Sequence, residues 1–148
     1  MKNNLRIFIL LLTFLFLFIG SVYGEEPEVK REYYDSGKLA SELHYKNGKA
    51  EEATAWYESG EKLNEEHYKK EKREGLATGW YKNGRKEYSQ RYKNGKLEGM
   101  KTKWYETGKK KSVRHYKNGI ENGFRKDWDE NGKLTYQGNF VDGNEVIE

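Results

Sequence analysis

From Tyr33 onward the chain alternates short apolar-and-polar segments with polar turns at a fixed period. The turn glycines are Gly37, Gly60, Gly84, Gly108 and Gly132. Four residues before each stands Tyr33, Trp56, Trp80, Trp104 or Trp128, and eight residues after each stands Tyr45, Tyr68, Tyr92, Tyr116 or Phe140. The spacings are 23, 24, 24 and 24 in all three series. A period of this length marks a tandem array of one small unit that buries its surface against its neighbours. Such an array favours binding over catalysis.

The third unit shows the layout. Leu76 to Tyr81 is one extended segment, Lys82-Asn83-Gly84 a turn, Arg85 to Tyr92 a second segment and Lys93-Asn94-Gly95 a second turn. Asn-Gly is a strong hairpin signal because both residues tolerate positive φ. It occurs at Asn47-Gly48, Asn83-Gly84, Asn94-Gly95, Asn118-Gly119, Asn122-Gly123 and Asn131-Gly132, with Asp142-Gly143 as a near equivalent. The single proline, Pro27, precedes the repeats, as central strands require, since proline donates no ladder hydrogen bond.

Alternation selects a loop length. Three-residue x-Asn-Gly loops put Trp80 on one face with Leu76, Thr78, Tyr88 and Tyr92, whereas two-residue loops would separate Trp80 from those tyrosines. The three-residue reading likewise gathers Met100, Thr102, Trp104 and Tyr116 in the fourth unit. In the fifth it gathers Phe124, Trp128, Leu134, Tyr136 and Phe140, and in the first Val29, Tyr33, Leu39, Leu43 and Tyr45. The second unit departs from the pattern: its turn is Lys69-Lys70-Glu71, and one residue is missing between Gly48 and Trp56. A bulge or irregular turn near Lys49 to Glu52 is expected to restore the register, and this unit should be the weakest.

The fold expected is all-β: an elongated antiparallel meander of five hairpin repeats and about ten strands in a single twisted sheet, following an N-terminal signal helix. The units run over residues 29–52, 53–75, 76–99, 100–123 and 124–148, after a short linker at 25–28.

Residues 1–24 read as a secretory signal peptide. Lys2 and Arg6 form a basic start, Ile7 to Ile19 is apolar except for Thr13, and Val22 and Gly24 suit cleavage after Gly24. An uncleaved membrane anchor is the competing reading, although the apolar run falls short of the about 20 residues that a spanning helix needs. Export to the periplasm, cell surface or medium follows. The absence of cysteine excludes disulfides and a lipid-bearing cysteine.

Charge and chemistry narrow the function. Losing Lys2 and Arg6 with the signal lowers the formal charge from +4 to +2, a mixed balance without a nucleic-acid footprint. His44, His67 and His115 occupy one repeat position, taken elsewhere by Arg91 and Asn139. Equivalent positions lie two strands, roughly 10 Å, apart, too far to share a metal ion. Carboxylates such as Glu65-Glu66 lack apolar surroundings to raise their pKa, and no nucleophile or phosphate-loop motif is present. No enzyme activity, cofactor or metal is expected.

The aromatics divide by expected role. Trp56, Trp80, Trp104 and Trp128, with Tyr33, Tyr45, Tyr68, Tyr92, Tyr116 and Phe140, form a structural stripe, since large aromatics are the main apolar resource available. Tyr34, Tyr57, Tyr81 and Tyr105 alternate to the other, polar face as a ladder at roughly 10 Å intervals. With Arg91 and His115 they make a candidate interaction face, a composition common at recognition surfaces; cross-strand stiffening is the equal alternative.

The sequence Gly-x-x-x-Trp-Tyr-x-x-Gly, eight residues to Tyr, then Lys-Asn-Gly-Lys, resembles the bacterial variant of the MORN repeat. Trp80-Tyr81-Lys82-Asn83-Gly84-Arg85 with Tyr92-Lys93-Asn94-Gly95-Lys96 carries it best, and it extends from about Val29 to Gly143. The resemblance implies a β-hairpin scaffold without shared catalytic residues. It implies an interaction scaffold and, for some members, service as the antitoxin of a toxin–antitoxin pair. A protein partner is therefore expected, with an envelope polymer or membrane surface as the lesser alternative. Choline-binding repeats share the aromatic hairpin, but here Trp-Tyr precedes the Asn-Gly turn.

Overall fold

The computed structural model describes residues 27–147; the expected signal segment lies outside them. The described residues contain no helix and form one antiparallel sheet of twelve strands. These are β1 (Glu28–Tyr33), β2 (Leu39–Lys46), β3 (Lys49–Trp56), β4 (Lys62–Lys69), β5 (Lys72–Arg73), β6 (Gly75–Trp80), β7 (Lys86–Lys93), β8 (Lys96–Trp104), β9 (Lys110–Lys117), β10 (Ile120–Trp128), β11 (Leu134–Val141) and β12 (Asn144–Val146). The sheet order follows the chain, with the two-residue β5 pairing β4 ahead of β6. Each repeat contributes two main strands, and the meander is as the period predicts; the short β5 and β12 bring the count to twelve where about ten were expected.

The two turns of a repeat differ, which corrects the uniform three-residue expectation. After Trp80 the loop is Lys82-Asn83-Gly84: Tyr81 N donates to Arg85 O (2.8 Å), Gly84 N donates to Tyr81 O (2.9 Å), and Gly84 has φ +79°. The second turn has only two loop residues. Lys93 pairs directly with Lys96, and Asn94 (φ +51°) and Gly95 (φ +81°) are both left-handed, the backbone of a type I′ hairpin. Here Asn-Gly fills both central positions, while at the first turn only its glycine needs positive φ.

A recurrent bulge reverses the expected face assignment. Trp80 pairs with Lys86, but Gly79 pairs with Tyr88, so Glu87 is an extra residue. The same one-residue shift accompanies Tyr33, Trp56, Trp104 and Trp128. One extra residue moves every following side chain to the opposite face. Directly paired residues share a face, so Thr78, Ser89, Thr102, Val113 and Lys126 lie on one side, along with the tryptophans. Gly79, Tyr88, Gln90, Lys101 and Arg114 lie on the other, with Tyr92 and Tyr116. The single stripe read from sequence is thus two. Trp56, Trp80, Trp104 and Trp128 mark a tryptophan face, and Tyr45, Tyr68, Tyr92, Tyr116 and Phe140 mark a tyrosine face.

The missing residue of the second unit is absorbed as expected: Tyr45 pairs with Ala50 and His44 with Glu52, leaving Glu51 as a bulge. The later units carry a wider two-residue interruption at the equivalent place, as between Tyr92–Leu97 and Gln90–Lys101. The weak turn closes around Lys70 (φ +51°) and Glu71 (φ +61°), non-glycine residues held in the left-handed region.

No thick core forms. Among the described residues only Ala77 and Val113 are buried apolar residues, with Thr54, Thr78, Gln90 and Ser112 as buried polar ones, and no large side chain is fully enclosed. All four tryptophans are half-buried. Cohesion comes from the ladder between neighbouring strands, where the dense contacts fall, as expected for a linear array.

Candidate functional site

Tyr34, Tyr57, Tyr81 and Tyr105 open the tryptophan turns, and their hydroxyls are engaged between repeats. They donate to the carbonyl oxygens of Trp56 (2.6 Å), Trp80 (2.9 Å), Trp104 (2.7 Å) and Trp128 (2.8 Å), respectively. Each rung ties one turn to the tryptophan of the next unit. All four are half-buried, and burial pushes the Tyr57 and Tyr81 phenols upward. These tyrosines therefore run as a ladder of hydroxyl clamps along one turn edge, rather than standing out from a polar face.

The other edge has its own clamps. Gly95 N donates to Arg73 O (2.8 Å), Gly119 N to Leu97 O (2.8 Å) and Gly143 N to Glu121 O (2.9 Å). Glu74 and Glu98 carboxylates accept from the backbone N of Asn94 (2.7 Å) and Asn118 (2.8 Å). Satisfying backbone donors with a carboxylate is a charge-assisted bond. The sequence signal for these was a glutamate 20 residues before each turn asparagine.

Arg91 and His115 do not share a surface with the tyrosine ladder as expected. Both lie on the tryptophan face, opposite Leu76 and Met100. The repeat position they define is paired across the sheet with another, giving Val29–His44, Glu52–His67, Leu76–Arg91, Met100–His115 and Phe124–Asn139. In the last three units the first member is large, apolar and exposed: Leu76 45%, Met100 54% and Phe124 39%. His115 stacks obliquely on Phe124, with centroids 5.4 Å apart. A groove of about 530 Å³ opens between Met100, Val113, Phe124 and Trp128, with Lys110 and Lys126 at its sides. Lys62 lies 5.5 Å from the Trp80 ring in a cation–π contact. The apolar series Leu76, Met100, Phe124 was legible as a 24-residue spacing, but its exposure was not.

The N-terminal half of this face is charged instead. Arg31 Nε donates to Glu42 (2.6 Å), and His44 lies 3.4 Å from the same carboxylate. The Arg31 guanidinium holds Glu42 below the usual carboxylate range. His67 lies 3.6 Å from Glu65. Among the described residues no group of histidines and carboxylates is arranged to hold a metal ion.

The tyrosine face interleaves aromatics with ion pairs. Glu66 accepts from Arg73 Nε and from Tyr68 OH, both at 2.8 Å. Arg73 lies 5.4 Å from the Tyr92 ring, Arg125 lies 4.7 Å from Tyr136 and 5.9 Å from Phe140, and Lys30 lies 4.7 Å from Tyr45. Tyr88 lies across Gly79, where a Cβ would fall within its ring; burial raises the Tyr88 phenol. Around Arg73, Arg125 and Lys30 this face is internally paired.

The family model described as MORN repeat variant matches residues 29–47, 97–118 and 122–142. Each matched segment is one strand–loop–strand hairpin around a tryptophan-type turn: β1–β2, β8–β9 and β10–β11. No curated protein matches the chain.

Proposed function

We propose that this chain, a protein of MORN repeat variants, is an exported non-catalytic scaffold that binds a protein partner through the tryptophan face. MORN repeats are in general protein- or membrane-binding modules. The observation that carries the reading is the exposed row Leu76, Met100 and Phe124 beside the groove at Trp128. Large apolar side chains repeated on one rigid face, with Arg91 and His115 alongside, suit a partner's apolar anchors rimmed by polar groups. A protein is favoured over a membrane surface because the row is flanked by hydrogen-bonding groups on both sides, and an envelope polymer remains an outcome of the test.

Crosslinking of the tagged protein in its host cells, with Met100→Lys/Phe124→Lys beside the native chain, tests this. The expected result is one protein captured by the native chain and lost by the variant. Retention of that protein by the variant refutes the face, and retention only on cell wall or lipid replaces a protein partner by an envelope surface. Capture of a toxin would give the chain the role of antitoxin. Export is tested by the N-terminal mass of the mature protein, expected to begin at Glu25.

A further inference from the structure

The tyrosine face contains a row of like charges that the carboxylates beside it, among the described residues, neutralise only in part. Lys101 on β8 pairs with Arg114 on β9, and Arg114 pairs with Arg125 on β10. Adjacent strands are about 4.8 Å apart, and like charges directly opposite one another are destabilising. Lys103 sits two residues along β8 on the same face, opposite Ser112.

The carboxylates nearby are Asp127 and Glu121. Asp127 is held by Arg125 Nε and Nη2, both at 2.7 Å, and reaches Arg114 Nη2 only at 3.5 Å. Glu121 stands 4.0 Å from Arg114 Nη1, with its Oε1 buried and unbonded. Among the described residues, neither Lys101 nor Lys103 has a carboxylate within 4 Å. Four cations therefore share two acids, and the two lysines are the pair left over.

These groups converge on a cleft of about 100 Å³ lined by Lys101, Lys103, Ser112, Arg114 and Tyr116. The Arg114 Nε–H beside it is buried without an acceptor, and the Gln90 Oε1 opposite Lys101 is buried without a donor. A buried N–H without a partner costs the full desolvation of that group.

We propose that this cleft binds a doubly charged oxyanion of phosphate size, held by Lys101, Lys103 and the Arg114 Nε–H, with Ser112 and Tyr116 supplying hydroxyl donors. The ligand completes the orphaned arginine donor and offsets the lysine excess; a phosphate ion or the phosphate monoester of a larger molecule presents the same group. Burial, followed by repulsion from Lys103 and Arg114, pushes the Lys101 ammonium downward, the sign expected for a cation without its counter-charge. This site is on the opposite side of the sheet from Met100 and Phe124, so it stands or falls separately from the partner face.

The test titrates inorganic phosphate into the purified protein in a chloride buffer of constant ionic strength and follows the melting temperature. At about ten times Kd the native protein should gain roughly 5 °C. Lys101→Gln and Arg114→Gln should each abolish that gain. Lys101→Gln should also melt higher than the native chain without phosphate, because it removes a like charge from the row; a merely structural lysine would give the opposite sign. Vesicles containing phosphatidic acid separate the sources. Binding that phosphate displaces and Lys101→Gln abolishes assigns a lipid phosphate, and a phosphate response without vesicle binding assigns a soluble one. A phosphate gain equal to that from chloride, or surviving both variants, overturns the proposal.

Discussion

Replacing Tyr81 and Tyr105 by phenylalanine removes two rungs of the hydroxyl ladder and leaves both rings in place. Each lost bond is well formed, at 2.7 Å to Trp104 O and 2.8 Å to Trp128 O, and each is part-buried. The net worth of such a bond is about 0.5–1.5 kcal/mol. The two rungs use different carbonyls, so the losses should add to roughly 1–3 kcal/mol. For an array of this size that lowers the melting temperature by roughly 4–10 °C. Thermal and urea unfolding followed by circular dichroism would read it, with the urea midpoint falling at unchanged slope. Tyr33→Phe is the control, since Tyr33 is 59% exposed and outside the ladder. A double variant melting within about 1 °C of the native protein would refute an energetic role for the ladder. Loss of partner binding at unchanged stability would return these tyrosines to the interaction surface.

Other expectations follow from the turns and the tyrosine face. Lys70→Asn with Glu71→Gly should stabilise the protein by about 1–2 kcal/mol, because both native residues bear the left-handed penalty; an unchanged urea midpoint would show that this turn is not strained. Gly79→Ala should cost about 1–3 kcal/mol by displacing the Tyr88 ring. Adding Tyr88→Ala should remove most of that penalty, and a double-mutant cycle without coupling would exclude the contact as its source. Burial leads the upward shift of the phenols of Tyr57, Tyr68, Tyr81 and Tyr88. Above their ordinary value of about 10 the unfolded chain loses these protons first and the folded chain binds more, so stability should fall as pH rises through that range. Melting temperatures across that range, with phenolate absorbance, would check it; constant stability would contradict the burial.

The candidate surface was half legible. The 24-residue spacing of Leu76, Met100 and Phe124, and of Arg91 and His115, stands in the chain. That these two series share a face and carry the exposed apolar row required the register. Counting loop residues placed Trp80 with Tyr88, and a single bulge residue, Glu87, separated them. Bulges carry no strong composition signal in a strand whose every residue is a good β-former or a tolerated polar one.

Local patterning settles the period, the all-β class, the meander and the hairpin turns, with one exception: Asn122-Gly123, which carries the same Asn-Gly signal, lies within β10 as part of an irregularity between Glu121 and Arg125. Those features rest on local chemistry: left-handed Asn and Gly, the absence of proline and the recurrence of aromatics four residues before a turn. It also located an irregularity within Lys49 to Glu52, because a deletion within a strict repeat is visible as a count; the pairing then put the bulge at Glu51. Tertiary structure decided what local chemistry leaves degenerate. A period-two strand with side chains on both faces has two registers, and only pairing with its neighbours selects one. The hydroxyl ladder depended on that selection, since Tyr81 meets the carbonyl of Trp104 across 23 residues of chain. So did the row of Lys101, Arg114 and Arg125, three unremarkable surface charges in the sequence that become neighbours only when three strands align.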